Sequence, residues 1–315
     1  MERCPLCDGV HAPSATCPAV FAADVTPLPP GTLVADRYRI VGLAGEGGTA
    51  IVYQAKDERT GGDIALKFLA DLKATPLERH RFRQDAELAG RVDHPHVVAI
   101  YETGDWLGDP FIAMEYVDGP TLAEALPDLD WHTLVRVVSE IADALDTTHA
   151  QGIVHRDLSP ENILLGPNGA KLLDFGIARA AWSTLTGSLL SYAIGRIEYM
   201  SPEQALDPRR VTRASDLFAL AAIVYEAVTG HAPHCRDDDG DGPDARQLVC
   251  DRLLSKRHPP DPRAENPTIP RGMADVLLRA LSPDPWDRFE SARALAAEMG
   301  RLHAATVQLR TRRDQ

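Results

Sequence analysis

The sequence predicts an α+β chain of two lobes, with a strand-rich first third and a mostly helical remainder. Three observations carry that prediction. Short β-branched runs follow one another from Tyr38 (YRIVGLA), Ala50 (AIVYQAKD), Ile64 (IALKFLA), Val97 (VVAIYETGD) and Pro110 (PFIAMEYV), broken by Gly and Asp turns in the manner of antiparallel strands. One helical segment, from about Leu77 to Val92, interrupts them. Beyond Tyr116 the apolar residues recur at three and four spacing in Trp131–Gln151, Ser215–Thr229, Met273–Leu281 and Ser291–His303, which predicts helices.

Residues 1–30 precede this pattern. They are rich in Cys, Pro and Ala, end in LPPG, keep no period of 2 or 3.6, and are read as a small appendage and linker. Cys4-Pro5-Leu6-Cys7 followed by Cys17-Pro18 resembles a zinc ribbon, in which paired thiolates on tight knuckles hold tetrahedral zinc. The position three after Cys17 is Val20, so the fourth ligand of a site built on Cys4, Cys7 and Cys17 is His11 in one reading. In the other, the segment is a metal-free remnant.

Among the predicted strands, Gly45-Glu46-Gly47-Gly48-Thr49-Ala50-Ile51-Val52 occupies a hairpin, where glycines let backbone N–H groups approach phosphates closely. An ordinary turn has the same composition. Lys67 ends the apolar strand IALK, where an ammonium among aliphatic neighbours needs an anionic partner or an exit to solvent. The most specific run is IVHRDLSPENILL, from Ile153 to Leu165, followed by Asp174-Phe175-Gly176. A carboxylate (Asp157), an amide oxygen five residues on (Asn162) and a second carboxylate (Asp174) are the set needed to accept a hydroxyl proton and hold Mg²⁺ beside a triphosphate.

Composition excludes other classes. The chain has 315 residues, 44% hydrophobic and 25% charged, and a net charge of −13 without a basic stripe interleaved with aromatics, which argues against a nucleic-acid partner. Leu217–Val228 is the longest apolar stretch; it contains a glutamate and is too short to span a bilayer. Five cysteines, three of them within the first seventeen residues, do not form a disulfide framework, and no signal sequence opens the chain, so a reducing, cytoplasmic setting is expected. Asp237–Gly242 matches the opening of a calcium loop, but Leu248 stands where a bidentate glutamate is required, so the run is read as a solvated acidic insertion.

On these motifs the sequence resembles the eukaryotic-like protein kinases, especially their bacterial serine/threonine branch, from about Arg37 to His303. The resemblance implies a bilobal kinase domain over 37–303, with an N-lobe at 37–116, a C-lobe at 118–303 and a basic tail at 304–315. It implies ATP and Mg²⁺ as cofactors and protein Ser/Thr hydroxyls as substrates. Gly45, Gly47, Gly48, Ala50, Val52 and Ala65 would line the nucleotide, and Lys67 would contact its α and β phosphates. Glu115 and Val117 belong to a hinge-like Met114-Glu115-Tyr116-Val117 that hydrogen-bonds adenine in the family. Asp157 would orient and deprotonate the substrate hydroxyl, with Asn162 and Asp174 binding Mg²⁺. The equivalents of Glu203, in SPEQ, and Arg288, in DPWDRF, form a buried ion pair in the family.

Three departures stand out. The family's helix glutamate that faces the lysine is Asp85 here, and Glu87 lies about 200° around the helix. The third loop glycine is Ala50. Ser159 replaces the lysine usual two residues after the catalytic aspartate, while Arg196 stands where serine/threonine kinases carry a threonine, so a guanidinium is expected to offset the same developing charge. These departures keep a second reading open, a nucleotide-binding pseudokinase or scaffold. Ser183, Thr184, Thr186, Ser188, Ser191 and Tyr192 are candidate phosphate acceptors, with Thr184 and Thr186 preferred, for pairing with Arg156.

Overall fold

Alternation of apolar and polar side chains turns the strand-rich third into one antiparallel sheet. The computed structural model describes residues 27–47, 50–70, 74–175, 197–236, 239 and 243–313. Its first strands are β1 (Leu33–Val34), β2 (Tyr38–Glu46), β3 (Ala50–Asp57) and β4 (Asp63–Leu69). Helix α1 (Pro76–Ala89) comes next, then β5 (Ile100–Trp106) and β6 (Asp109–Glu115). The sheet order is β1-β2-β3-β4-β6-β5. One face buries Tyr38, Ile40, Ile51, Tyr53, Ala55, Ile64, Leu66, Phe68, Phe111 and Ala113 as a single cluster. Because successive strand residues point to opposite faces, Val52, Ala65 and Lys67 share the other face.

Helix α1 starts where the sequence provides a full capping box, Thr75 with Glu78, and Pro76 at its first position. It buries Arg81, Phe82, Ala86 and Ala89. Arg79 bonds Asp109 at 2.9 Å and the Gly108 carbonyl at 2.6 Å, and Arg83 pairs with Asp105, so the helix is tied to the β5–β6 hairpin.

The remainder is helical: α2 (Leu122–Ala125), α3 (Trp131–Ala150), α4 (Pro202–Leu206), α5 (Arg213–Thr229), α6 (Pro243–Leu254), α7 (Pro262–Glu265), α8 (Arg271–Ala280) and α9 (Ala292–Arg313). Asp130 caps α3, and a Thr212–Ser215 capping box opens α5, which is buried along most of its length and stops at Gly230 in the left-handed region, φ 91°. Asp146 of α3 accepts the first N–H groups of α9, from Ala292 and Arg293, at 2.9 and 3.2 Å.

Two compact units result. One takes the described residues up to Asp93 with Val98–Val117; the other takes His94–Val97 and the described residues from Asp118 onward. Among the described residues no helix is long and apolar enough to cross a membrane.

Several features depart from the sequence expectation. A two-stranded hairpin, β7 (Ile163–Gly166) with β8 (Gly169–Leu172), lies within the helical unit. The last helix runs on to Arg313, through residues expected to form a basic tail, because no Pro or Gly interrupts the chain after Gly300. Asp239 of the acidic run is not solvated. Arg252 grips both its oxygens at 2.5 Å, and the Arg236 N–H donates to it at 2.9 Å.

Candidate active site

In the sheet unit, cross-strand register assembles the candidate nucleotide residues. Gly45 pairs with Val52, Val52 with Lys67, Ala65 with Met114 and Ile64 with Glu115. Gly45, Val52 and Lys67 thus occupy facing positions on three neighbouring strands, and Ala65 sits two residues before Lys67 on the same face. The Gly47 N–H donates to the Ala50 carbonyl at 2.9 Å. Ala50 opens β3 and pairs with Leu69, an extended position in which a methyl meets no conformational penalty. Gly48 lies outside the described residues. The Glu115 N–H bonds the Ala99 carbonyl at 2.8 Å and ends the ladder; Tyr116 and Val117 continue without strand pairing. On α1, Asp85 lies on the same side as Phe82 and Ala86, whereas Glu87 is exposed.

In the helical unit, a buried carboxylate builds the loop that carries Asp157. Asp216, near the start of α5, accepts the His155 N–H at 2.8 Å, the Arg156 N–H at 2.9 Å and a bond from His149 Nε2 at 2.7 Å. All three donors converge on a side chain that is 1% exposed. Arg156 is consequently held with φ 70°, a strained region for a residue with a Cβ, and its carbonyl accepts from Gln204 Nε2 at 2.7 Å. His155 is fully buried. It accepts the Asp157 N–H at Nδ1, 3.3 Å, and bonds the Leu173 carbonyl through Nε2, 2.7 Å, which fixes its tautomer. Its ring packs on Phe175 at 5.0 Å.

Asn162 closes a 3₁₀ turn that begins at Pro160. Its Nδ2 donates to the Asp157 carbonyl at 2.7 Å and lies 3.3 Å from Asp157 Oδ2. With the nitrogen so directed, Oδ1 is the oxygen left to a cation. The Leu173 N–H donates to the Asn162 carbonyl at 2.9 Å, and Ile163 pairs with Leu172, so the β7–β8 hairpin brings the segment bearing Asp174 beside Asn162. Asp174 itself has φ 40°. The arrangement offers a carboxylate able to accept a hydroxyl proton next to two oxygen donors of the kind Mg²⁺ prefers. Ser159 is buried, and its carbonyl accepts the Asn162 N–H at 3.0 Å.

A second polar anchor lies behind the loop. Arg288 meets Glu203 in a bidentate pair, 2.8 Å at each oxygen, and also bonds the Ala214 and Ser282 carbonyls. Burial pushes the Glu203 carboxyl up, but the guanidinium and the Ser215 hydroxyl outweigh it and hold the group below its ordinary value.

Arg196, the candidate phosphate acceptors from Ser183 to Tyr192, and Cys4, Cys7, His11 and Cys17 lie outside the described residues. Among the described residues no group of three or more His, Cys, Asp or Glu side chains could hold a metal ion. Sequence reasoning missed the triple acceptance at Asp216 and the role of Gln204. The available signal was a carboxylate at the mouth of an otherwise apolar helix, which demands buried donors.

Comparison with known proteins gives a consistent result. The family profile described as protein kinase domain matches residues 38–299. The chain is 34% identical over 280 residues to the serine/threonine-protein kinase PknB of Mycobacterium leprae, covering 86% of this chain and 44% of that protein. It is 35% identical over 297 residues to a probable serine/threonine-protein kinase PknB of Corynebacterium glutamicum, covering 89% and 45%. The chain therefore spans less than half the length of these relatives. Among solved structures, the PknI kinase domain of Mycobacterium tuberculosis superposes with a TM-score of 0.66 at 29% identity, covering 87% of this chain and 99% of that one.

Proposed function

The chain belongs to the protein kinase family, and on that premise we propose that it transfers the γ-phosphoryl group of ATP to Ser and Thr hydroxyls of proteins, including its own activation segment. The observation that carries this reading is the contact between Asp157 and Asn162 within a loop held by buried Asp216. In this reading Asp157 receives the hydroxyl proton, and Asn162 Oδ1 and the Asp174 carboxylate hold the cation. When bound, Mg²⁺ neutralises and orients the phosphates of ATP. Lys67 engages the α and β phosphates, the strand face with Gly45, Val52 and Ala65 lies against the nucleotide, and the Glu115–Val117 backbone receives adenine. Asp85 partners Lys67; its place on the buried side of α1, with Glu87 exposed, supports that assignment over the alternative. Arg196 supplies the charge that Ser159 lacks, and Arg196→Ala is expected to lower kcat.

The experiment is phosphate incorporation from labelled ATP into the chain and into a generic Ser/Thr protein substrate, comparing wild type with Asp157→Asn. Loss of incorporation in the variant alone supports transfer by this site. ATP binding without incorporation in wild type favours the second reading, a pseudokinase, for which Asp85 and Ser159 are the motivating departures. Cysteine usage supports a reducing, cytoplasmic setting. The N-terminal cysteines hold either zinc or no metal, and metal analysis of the purified chain separates the two.

A further inference from the structure

Helices α3 and α9 pack antiparallel, and the two ends of their contact are held by different chemistry. At one end, carboxylates of α3 meet the start of α9: Asp146 accepts the Ala292 N–H at 2.9 Å, and Asp143 accepts from Arg293 Nε at 2.6 Å. At the other end, about 21 Å away along α3, two imidazoles face each other. His132 Nδ1 lies 3.4 Å from His303 Nε2, with ring centroids 5.6 Å apart. His132 is exposed and His303 half-buried, with the Trp131 ring edge-on to His303 at 6.4 Å. The backbone beneath is fixed, because the His132 N–H donates to the capping Asp130 at 2.9 Å.

Two ring nitrogens at this distance can share a proton, one N–H donating to the lone pair of the other. The same spacing suits a metal ion. A tetrahedral centre bound at roughly 2.0–2.1 Å holds two imidazole nitrogens about 3.3 Å apart. A cation in place of the shared proton takes a lone pair from each ring, and the displaced proton moves to the other nitrogen of its own ring. Among the described residues no third His, Cys, Asp or Glu completes the set, so water fills the remaining positions, as at an open site. An all-imidazole pair selects Zn²⁺, Cu²⁺ or Ni²⁺ over the Mg²⁺ of phosphoryl transfer, which prefers oxygen.

We propose that His132 and His303 chelate one divalent transition-metal ion of this imidazole-preferring class, clasping the far end of α9 to the first turn of α3. The site goes beyond phosphoryl transfer and does not depend on it, since it includes none of Asp157, Asn162 and Asp174. It is also separate from the N-terminal cysteines. The two histidines are 171 positions apart in the chain and meet only in the folded protein. An ion held by both therefore stabilises the fold.

The test is Ni²⁺ binding by the full chain in excess Mg²⁺, read as metal bound per chain after equilibrium dialysis and as the thermal unfolding midpoint, for wild type, His132→Gln and His303→Gln. Glutamine suits a helix and keeps a hydrogen-bonding group but is a poor ligand for Ni²⁺. The N-terminal cysteines are common to all three proteins and contribute equally. Each variant should bind one Ni²⁺ fewer per chain than wild type, and Ni²⁺ should raise the midpoint by at least about 2 °C in wild type alone. His132 is exposed, so its variant carries the test if His303→Gln fails to fold. Equal metal counts in the three proteins would overturn the proposal and leave a plain hydrogen-bonded pair. Loss in only one of two folded variants would do the same, since a single imidazole makes no chelate. So would a wild-type midpoint that Ni²⁺ fails to raise, an equal rise with Mg²⁺ alone, which marks a general divalent effect, or Ni²⁺-dependent dimers lost in the variants, which mark a site between copies.

Discussion

The sheet unit and the helical unit position their candidate active-site groups by different physics. In the sheet, side-chain direction follows from strand alternation: Leu66 points into the apolar cluster, and its neighbour Lys67 must point the other way. In the helical unit the loop bearing Asp157 has no such repeat to follow. It is held by buried polar groups from distant elements, Asp216 of α5, Gln204 of α4 and the Leu173 carbonyl after β8. A site built on alternation tolerates most changes beyond its own face, whereas a site built on a few buried hydrogen bonds fails when one acceptor is lost.

The largest effect should follow removal of that acceptor. Asp216→Ala leaves two backbone N–H groups and a histidine without a partner inside the protein, at roughly 1–3 kcal/mol each, so loss of folding is expected in denaturant titration. Asp216→Asn, which keeps one acceptor oxygen, should fold and lose at least about 100-fold in kcat. Near-wild-type turnover in Asp216→Asn would show that the loop holds itself.

Adjacent residues of β4 sharpen the other half of the contrast. Leu66→Ala should cost about 2–5 kcal/mol of stability. Lys67→Met should leave the unfolding midpoint within a few degrees of wild type yet remove phosphoryl transfer. Comparable destabilisation by both substitutions would break the assignment of opposite faces.

A smaller, pH-dependent effect is expected at His234, which stacks on Phe218 and whose imidazole burial drives down to about 4. The folded pKa lies below the unfolded value of about 6.5, so the unfolded state binds more protons between those limits. Stability is therefore full above about pH 6.5 and falls as pH drops toward 4, by on the order of 3 kcal/mol. Denaturant midpoints across that window should lose this dependence in His234→Phe. The smallest effect concerns the loop: Ala50→Gly should change the Kd for ATP by less than about threefold, because the methyl already sits on an extended residue of β3.

The same contrast explains what the sequence revealed. The β2–β6 strands, α1, α3 and α5 were legible because period and caps act over a few residues, and α1 began within a residue of where its pattern predicted. The HRDLSPEN run pointed to Asp157 and Asn162 through residue type and spacing, and its resemblance to the protein kinases supplied the roles expected of them. The β7–β8 hairpin was not legible, because four-residue strands around a turn leave too short an alternation to separate from the motif they follow. Nor was the work of Asp216, which joins residues 60 positions apart, or the grip of Arg252 on Asp239, which turns an apparent solvated run into a paired carboxylate. Such contacts depend on tertiary structure that no local window contains.

The most direct test of the central claim, that Asp157 in its Asp216-held loop is the base of a phosphoryl transfer, is the rate of label incorporation from γ-labelled ATP in wild type and in Asp157→Asn at matched nucleotide occupancy. A loss of at least about 1,000-fold in the variant, with ATP affinity unchanged, is the predicted result. Equal incorporation in the two proteins would contradict it.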